Sequence, residues 1–201
     1  LQEFSRHFAF GKGPVDILEM GILDHEAIEA YVTHCLTTKQ DFAPQDVEAV
    51  WTAFVRTRNG GVPAALAAPT LALLRRFATS HHFPLDQGWR PEAELAGTYD
   101  GQPCDWFAPD VFLRAKLDLP LVNGWDATII DWKCGWAVLP SDQAAQDELQ
   151  FQTYAMMLHR WNPDIKRVRV RPDYVRWGIQ RTAEFSERDF QDTWDFWRAA
   201  S

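Results

Sequence analysis

Asp131-Trp132-Lys133 closes the short apolar run Ala127-Thr128-Ile129-Ile130, and its spacing of two is what lets a carboxylate and an ammonium act together. In an extended strand, residues two apart project from one face, so Asp131 and Lys133 share a pocket while Trp132 packs on the other side. A chain of this composition carries roughly 0.4 D-x-K triplets by chance, and a surface ion pair on a strand would use the same residues, so the triplet alone decides nothing. Arg outnumbers Lys throughout the chain, yet a Lys stands here. A compact ammonium suits a reacting phosphate in a way that the wider guanidinium does not. Asp118 lies thirteen residues upstream, across the turn signal Asn123-Gly124, and a hairpin there brings the two carboxylates to one end of adjacent strands. Carboxylates so placed repel each other and raise each other's pKa unless a hard divalent cation takes their oxygens. Mg²⁺ is the natural candidate, since it activates water and stabilises charge on a phosphoryl oxygen, the two needs of phosphodiester hydrolysis. Lys133 then supplies positive charge to the water or the transition state. Alternatively, Asp118 merely ends an edge strand before Leu119-Pro120.

The elements that must hold these residues follow from periodicity. Ile28, Tyr31, Val32, Cys35 and Leu36 recur at helical spacing, as do Val47, Val50, Trp51, Phe54 and Val55 between Pro44 and Asn59-Gly60-Gly61. A third helix is expected from Pro63 to about Thr79. From Pro91 the period changes to two: Glu92 to Leu95 and Asp110 to Leu119 read as strands on either side of the Asp100-Gly101 turn. The latter run is expected to form a hairpin with Ala127–Lys133, an inner strand because its centre is apolar on both faces. A helix from Asp142 to Trp161, strands Arg167–Arg171 and Tyr174–Gln180, and a last helix capped by Ser186 complete the order. The expected fold is α/β, a central mixed sheet flanked by helices. One domain is expected, mostly helical over residues 1–85 and with the sheet core over 90–201.

Further residues gain meaning from these placements. Gly21 stands four residues before His25 on one helix face, where a missing side chain leaves room for a metal or backbone. A lone histidine is more often structural than a ligand. His25-Glu26 opens like a zinc-protease helix, but Glu at position 29 ends that reading. Gln150 and Tyr154, at i and i+4, form a polar patch able to bind phosphate or hold Lys133 in place, or else an ordinary amphipathic edge. Arg167, Arg169 and Arg171 share a strand face within a locally basic stretch, which could follow a phosphate backbone or simply protect a sheet edge. The ten tryptophans offer stacking surfaces for unpaired bases, though most should be core.

Asp118, Asp131-Trp132-Lys133-Cys134-Gly135 and Gln150-Phe151-Gln152-Thr153-Tyr154-Ala155, in that order, resemble the D…D-x-K-[T/S]-G…Q-x-x-x-Y-A signature of RecB-like nucleases in the PD-(D/E)XK superfamily. Gly21 to His25 is similar to the G-x-x-x-H motif of the same group. The resemblance spans residues 21 to about 180 and implies a restriction-endonuclease-like core and a Mg²⁺ or Mn²⁺ site held by His25, Asp118, Asp131 and Trp132. It further implies Asp118, Asp131 and Lys133 as catalytic residues, Gln150 and Tyr154 at the substrate, and cleavage of DNA, commonly from an end or on a single strand. A glutamate such as Glu92 or Glu94 sometimes assists. Cys134 departs from the usual Thr or Ser and removes a hydroxyl. One branch of the family, used in CRISPR adaptation, holds an iron-sulfur cluster on four cysteines, three of them near the C-terminus; no cysteine follows Cys134, so no cluster is expected. No phosphate-binding loop of the G-x-x-x-x-G-K-[ST] kind occurs, so ATP-driven unwinding would need a helicase or recombination partner, or a further part of the chain.

Composition sets the frame. The 201 residues are 46% apolar and 24% charged, an ordinary globular balance with no apolar stretch of membrane-spanning length. The opening residues do not read as a signal peptide, and three unpatterned cysteines fit an intracellular, reducing compartment such as the cytoplasm. A net charge of −8 argues against nonspecific coating of nucleic acid. It leaves open a second reading, a noncatalytic DNA-end-binding or assembly module on the same fold.

Overall fold

The structure, a computed structural model, describes residues 17–39, 44–81 and 91–201. The opening residues 1–16, which include those read against a signal peptide, lie outside that range. The chain divides into two compact units, residues 1–85 and 86–201.

The first unit is helical. Helix α1 (Ile17–Thr38), a 3-10 turn (Pro44–Asp46), α2 (Val47–Thr57) and α3 (Ala64–Ser80) match the sequence periodicity. Ile28, Tyr31, Val32 and Cys35 are buried on α1, as are Val47, Val50 and Phe54 on α2. Chain reversal after α2 uses Gly60 and Gly61, both at positive φ where side chains are disfavoured. Two polar ties fix α1 about its axis. Thr70 of α3 donates to buried Asp24 at 2.6 Å, and Arg58, just after α2, pairs with Glu26 at 2.6 Å.

The second unit is the α/β part. Strands β1 (Ala93–Thr98), β2 (Pro103–Cys104) and β3 (Val111–Leu117) form an antiparallel sheet in the order β2-β1-β3. The chain then passes through Asp118 into β4 (Leu119–Asn123), which belongs to a second sheet with β5 (Asp126–Lys133), β6 (Arg167–Tyr174), β7 (Ile179–Gln180) and β8 (Ala183–Ser186). The hairpin partner of β5 is therefore β4, paired from Leu119↔Ile130 to Asn123↔Asp126, and not the whole Asp110–Leu119 run. The expected strand is cut at Asp118 because its two halves serve different sheets. Gly124, at φ +62, supplies the tight two-residue turn.

Strand β5 is internal, as its two-sided apolar centre requires, and runs parallel to β6 from Asp126↔Arg167 to Lys133↔Tyr174. The crossover is α4 (Asp142–Gln146) and α5 (Leu149–Trp161), two helices in place of the single one expected. Strand β6 continues unbroken to Tyr174, where sequence reading divides it at Pro172. That proline is tolerated inside a sheet because it falls in the gap between the β8 pairing, which ends at Val170, and the β7 pairing, which begins at Asp173. Strand β6 is thus an inner strand rather than a charged edge. The apolar face of α5, including Phe151, Ala155 and Met156, packs with Leu95, Leu117, Ile129 and Val168 in one core. Helix α6 (Glu187–Ala200) starts at the expected cap, with a Ser186/Asp189 capping box, and adds Phe190 and Trp194.

Candidate active site

Asp118 occupies the seam between the two sheets. Its backbone carbonyl accepts from the Glu92 N–H at 2.9 Å, and its side-chain Oδ2 accepts from the Trp132 N–H at 2.8 Å. Continuing the β4·β5 register one step past Leu119↔Ile130 sets Asp118 opposite Asp131. Both aspartates are buried. Along a strand the N–H and C=O of one residue point to the same edge. The Trp132 carbonyl therefore lies on the Asp118 side of β5, while its indole is buried on the face opposite Asp131.

Asp131 and Lys133 share one strand face, with Lys133 Nζ 2.8 Å from Asp131 Oδ2. The same ammonium donates to Gln150 Oε1 at 3.0 Å and lies 5.3 Å from the centre of the Phe151 ring. Gln150 Nε2 in turn donates to the Tyr154 hydroxyl at 2.7 Å. One polar chain thus runs Asp131, Lys133, Gln150, Tyr154, with the strand supplying its first half and the first turns of α5 its second. Burial, and then the negative charge of Asp131, Asp118 and Glu92, push the Tyr154 phenol well above its ordinary range, while the Gln150 hydrogen bond works the other way. The field of three carboxylates reaches a single hydroxyl.

Glu92 is the residue whose setting periodicity misses. It precedes β1 rather than belonging to it, at φ +59, a left-handed conformation rare for a side chain of this kind. The alternation that would put Glu92 and Glu94 on one face stops there; Glu94 is exposed and pairs in register with Lys116. A Glu92 oxygen lies within 4.8 Å of an Asp118 oxygen, and Glu92 also forms an ion pair with Lys116. The available signal was Lys116-Leu117-Asp118, whose alternation puts a cation and a carboxylate on one face. Two oxygens sharing a Mg²⁺ ion lie at most about 4.2 Å apart, so a small side-chain rotation brings this all-oxygen pair to a hard divalent cation.

His25 is partly exposed on α1 in the first unit. Among the described residues, a Cβ added to Gly21 meets no atom within 4 Å. The arginine stripe on β6 is already neutralised. Arg167 pairs with Asp126 at 2.7 Å, Arg169 with Glu184 at 2.6 Å and Arg171 with Asp173 at 2.9 Å. Cys134 is buried, and its backbone carbonyl accepts from Arg176 Nε at 3.3 Å.

No helix among the described residues is long and apolar enough to cross a membrane. No curated protein matches the chain. The model of the PD-(D/E)XK nuclease superfamily matches residues 8–198, a span that takes in both units and every residue of the seam and the polar chain. On that match the chain belongs to the PD-(D/E)XK nuclease superfamily.

Proposed function

We propose that this protein is a RecB-like, Mg²⁺- or Mn²⁺-dependent deoxyribonuclease that hydrolyses phosphodiester bonds, acting as an exonuclease on DNA ends or single strands. The observation that carries the reading is the juxtaposition at the end of β5: Asp118 held by the Trp132 amide, opposite an Asp131 that is ion-paired to Lys133. Asp118, Asp131 and the Trp132 carbonyl supply the oxygen ligands, with Glu92 beside them. His25 joins them on the strength of its Gly21-x-x-x-His25 motif. A divalent ion held there makes water nucleophilic near neutral pH and neutralises charge on the phosphoryl oxygen.

The protein's own groups do the rest. Lys133 offers an ammonium to the water or the developing negative charge, and Gln150 and Phe151 hold that ammonium on the site side of the strand. Tyr154 stays protonated throughout the neutral range and so remains a hydrogen-bond donor, positioned by Gln150 to meet a substrate oxygen. DNA is the proposed partner, and a helicase or recombination protein would supply unwinding.

The test is release of nucleotides from linear single-stranded and duplex DNA in Mg²⁺ and in Mn²⁺, for the wild type, Asp131→Ala and Lys133→Ala. Turnover that chelator abolishes and both substitutions remove supports the reading. Wild-type inactivity in both metals on all DNA forms refutes it, and chelator-insensitive binding without turnover would establish the noncatalytic end-binding module instead.

A further inference from the structure

We propose that Trp177, backed by Trp136 and Arg176, is a stacking platform for an unpaired base of the DNA strand being cut. The inference rests on the nuclease reading and names the substrate class as single-stranded DNA, including an unpaired end. Strands β5 and β6 are parallel, so their carboxyl ends lie at one edge of the sheet, the edge outside which α/β sheets bind their ligands. Asp131 and Lys133 end β5 there. Trp136 follows three residues past Lys133, and Trp177 three past Tyr174, the register partner of Lys133. Three residues span at most about 10 Å, roughly the rise of three stacked nucleotides. The two loops are tied at their roots, where the Val175 N–H donates to the Lys133 carbonyl at 3.2 Å and Arg176 Nε donates to the Cys134 carbonyl at 3.3 Å.

The platform is built rather than incidental. Arg176 lies 4.5 Å over the Trp136 ring, and Trp136 meets Trp177 edge to face at 5.7 Å and 70°. Trp136 is thereby braced, and Trp177 keeps 47% of its surface exposed. An indole in that state offers a sequence-tolerant face to a base, and the adjacent guanidinium matches the charge of a nearby phosphate. Arg176, Trp136 and Trp177 thus stand together past the ends of β5 and β6, beside Lys133, as a cationic and aromatic corner suited to a strand of nucleic acid.

The experiment is binding of fluorescently labelled oligo-deoxythymidylate and of a blunt duplex to the full chain in Ca²⁺, for the wild type, Trp177→Ala, Trp177→Leu and Trp177→Phe, with circular dichroism to check folding. The platform predicts that Ala and Leu each weaken single-strand binding about ten-fold, equivalent to about 1.4 kcal/mol, while Phe restores most of it and duplex binding barely changes. Single-strand affinity unchanged in Trp177→Leu, or an equal loss on single strand and duplex, overturns the platform. Because binding is read without turnover, this failure is distinct from wild-type inactivity in Mg²⁺ and Mn²⁺, which would overturn the nuclease reading itself.

Discussion

Asp118→Asn and Asp118→Ala separate two roles of one side chain. In the folded protein the Asp118 carboxylate accepts from the Trp132 amide at 2.8 Å, with both residues buried. Alanine leaves that amide without its acceptor, and a buried hydrogen bond to a charged group is worth about 2 kcal/mol. Asparagine keeps an acceptor oxygen and removes only the charge. That charge repels Glu92, whose oxygen lies within 4.8 Å, by about 3 kcal/mol at an effective dielectric of 20, an upper bound that Lys116 and Lys133 largely offset. The asparagine variant is therefore expected within about 1 kcal/mol of the wild type, on either side. With an unfolding slope of about 2 kcal/mol per molar urea, alanine lowers the midpoint by about 1 M and asparagine leaves it nearly in place. Both variants should lose nuclease activity about a hundred-fold or more. Urea titration followed by circular dichroism, beside nucleotide release in Mn²⁺, measures both. Equal stability of the two variants would refute the amide role, and wild-type activity in Asp118→Asn would refute the proposed ligand role.

Tyr154 carries a pH signature. Its folded pKa is raised above the unfolded value near 10, so above that pH the unfolded chain holds fewer protons than the folded one, and stability falls as pH rises. Tyr154→Phe should flatten this alkaline loss in urea midpoints taken across pH 9 to 11, and an unchanged slope would contradict it. Burial also pushes the Cys35 thiol up to about 11, so it should resist alkylation at pH 8 in the folded protein and react once urea is added, as mass spectrometry would show. Arg169→Gln breaks an exposed pair with Glu184 and should change single-strand DNA affinity less than three-fold by fluorescence anisotropy; a ten-fold loss would restore the stripe as a DNA contact.

The sequence makes the site's local pieces legible and hides its long-range ones. Period two is enough to put Asp131 beside Lys133, and period 3.6 puts Gln150 over Tyr154, because each depends on neighbours in the chain. The Asn123-Gly124 turn brings Asp118 opposite Asp131 for the same reason. Which strand segment enters the hairpin is less visible, since Val111–Leu117 and Leu119–Asn123 have similar propensities and only the second sheet distinguishes them. The pairing of the β6 stripe is hidden because two of its acidic partners, Asp126 and Glu184, come from other strands. Glu92 is hidden because its left-handed backbone breaks the alternation on which strand reading depends.

That backbone at Glu92 sets two selections against each other. Glycine or asparagine would settle into the left-handed conformation with less strain, a relief of about 1 kcal/mol. A library sorted for heat resistance alone should therefore drift away from glutamate at position 92, whereas one sorted for cutting should hold it. Divergence between the two pools at a single codon would show where this molecule gives up durability to keep a carboxylate in reach of its seam.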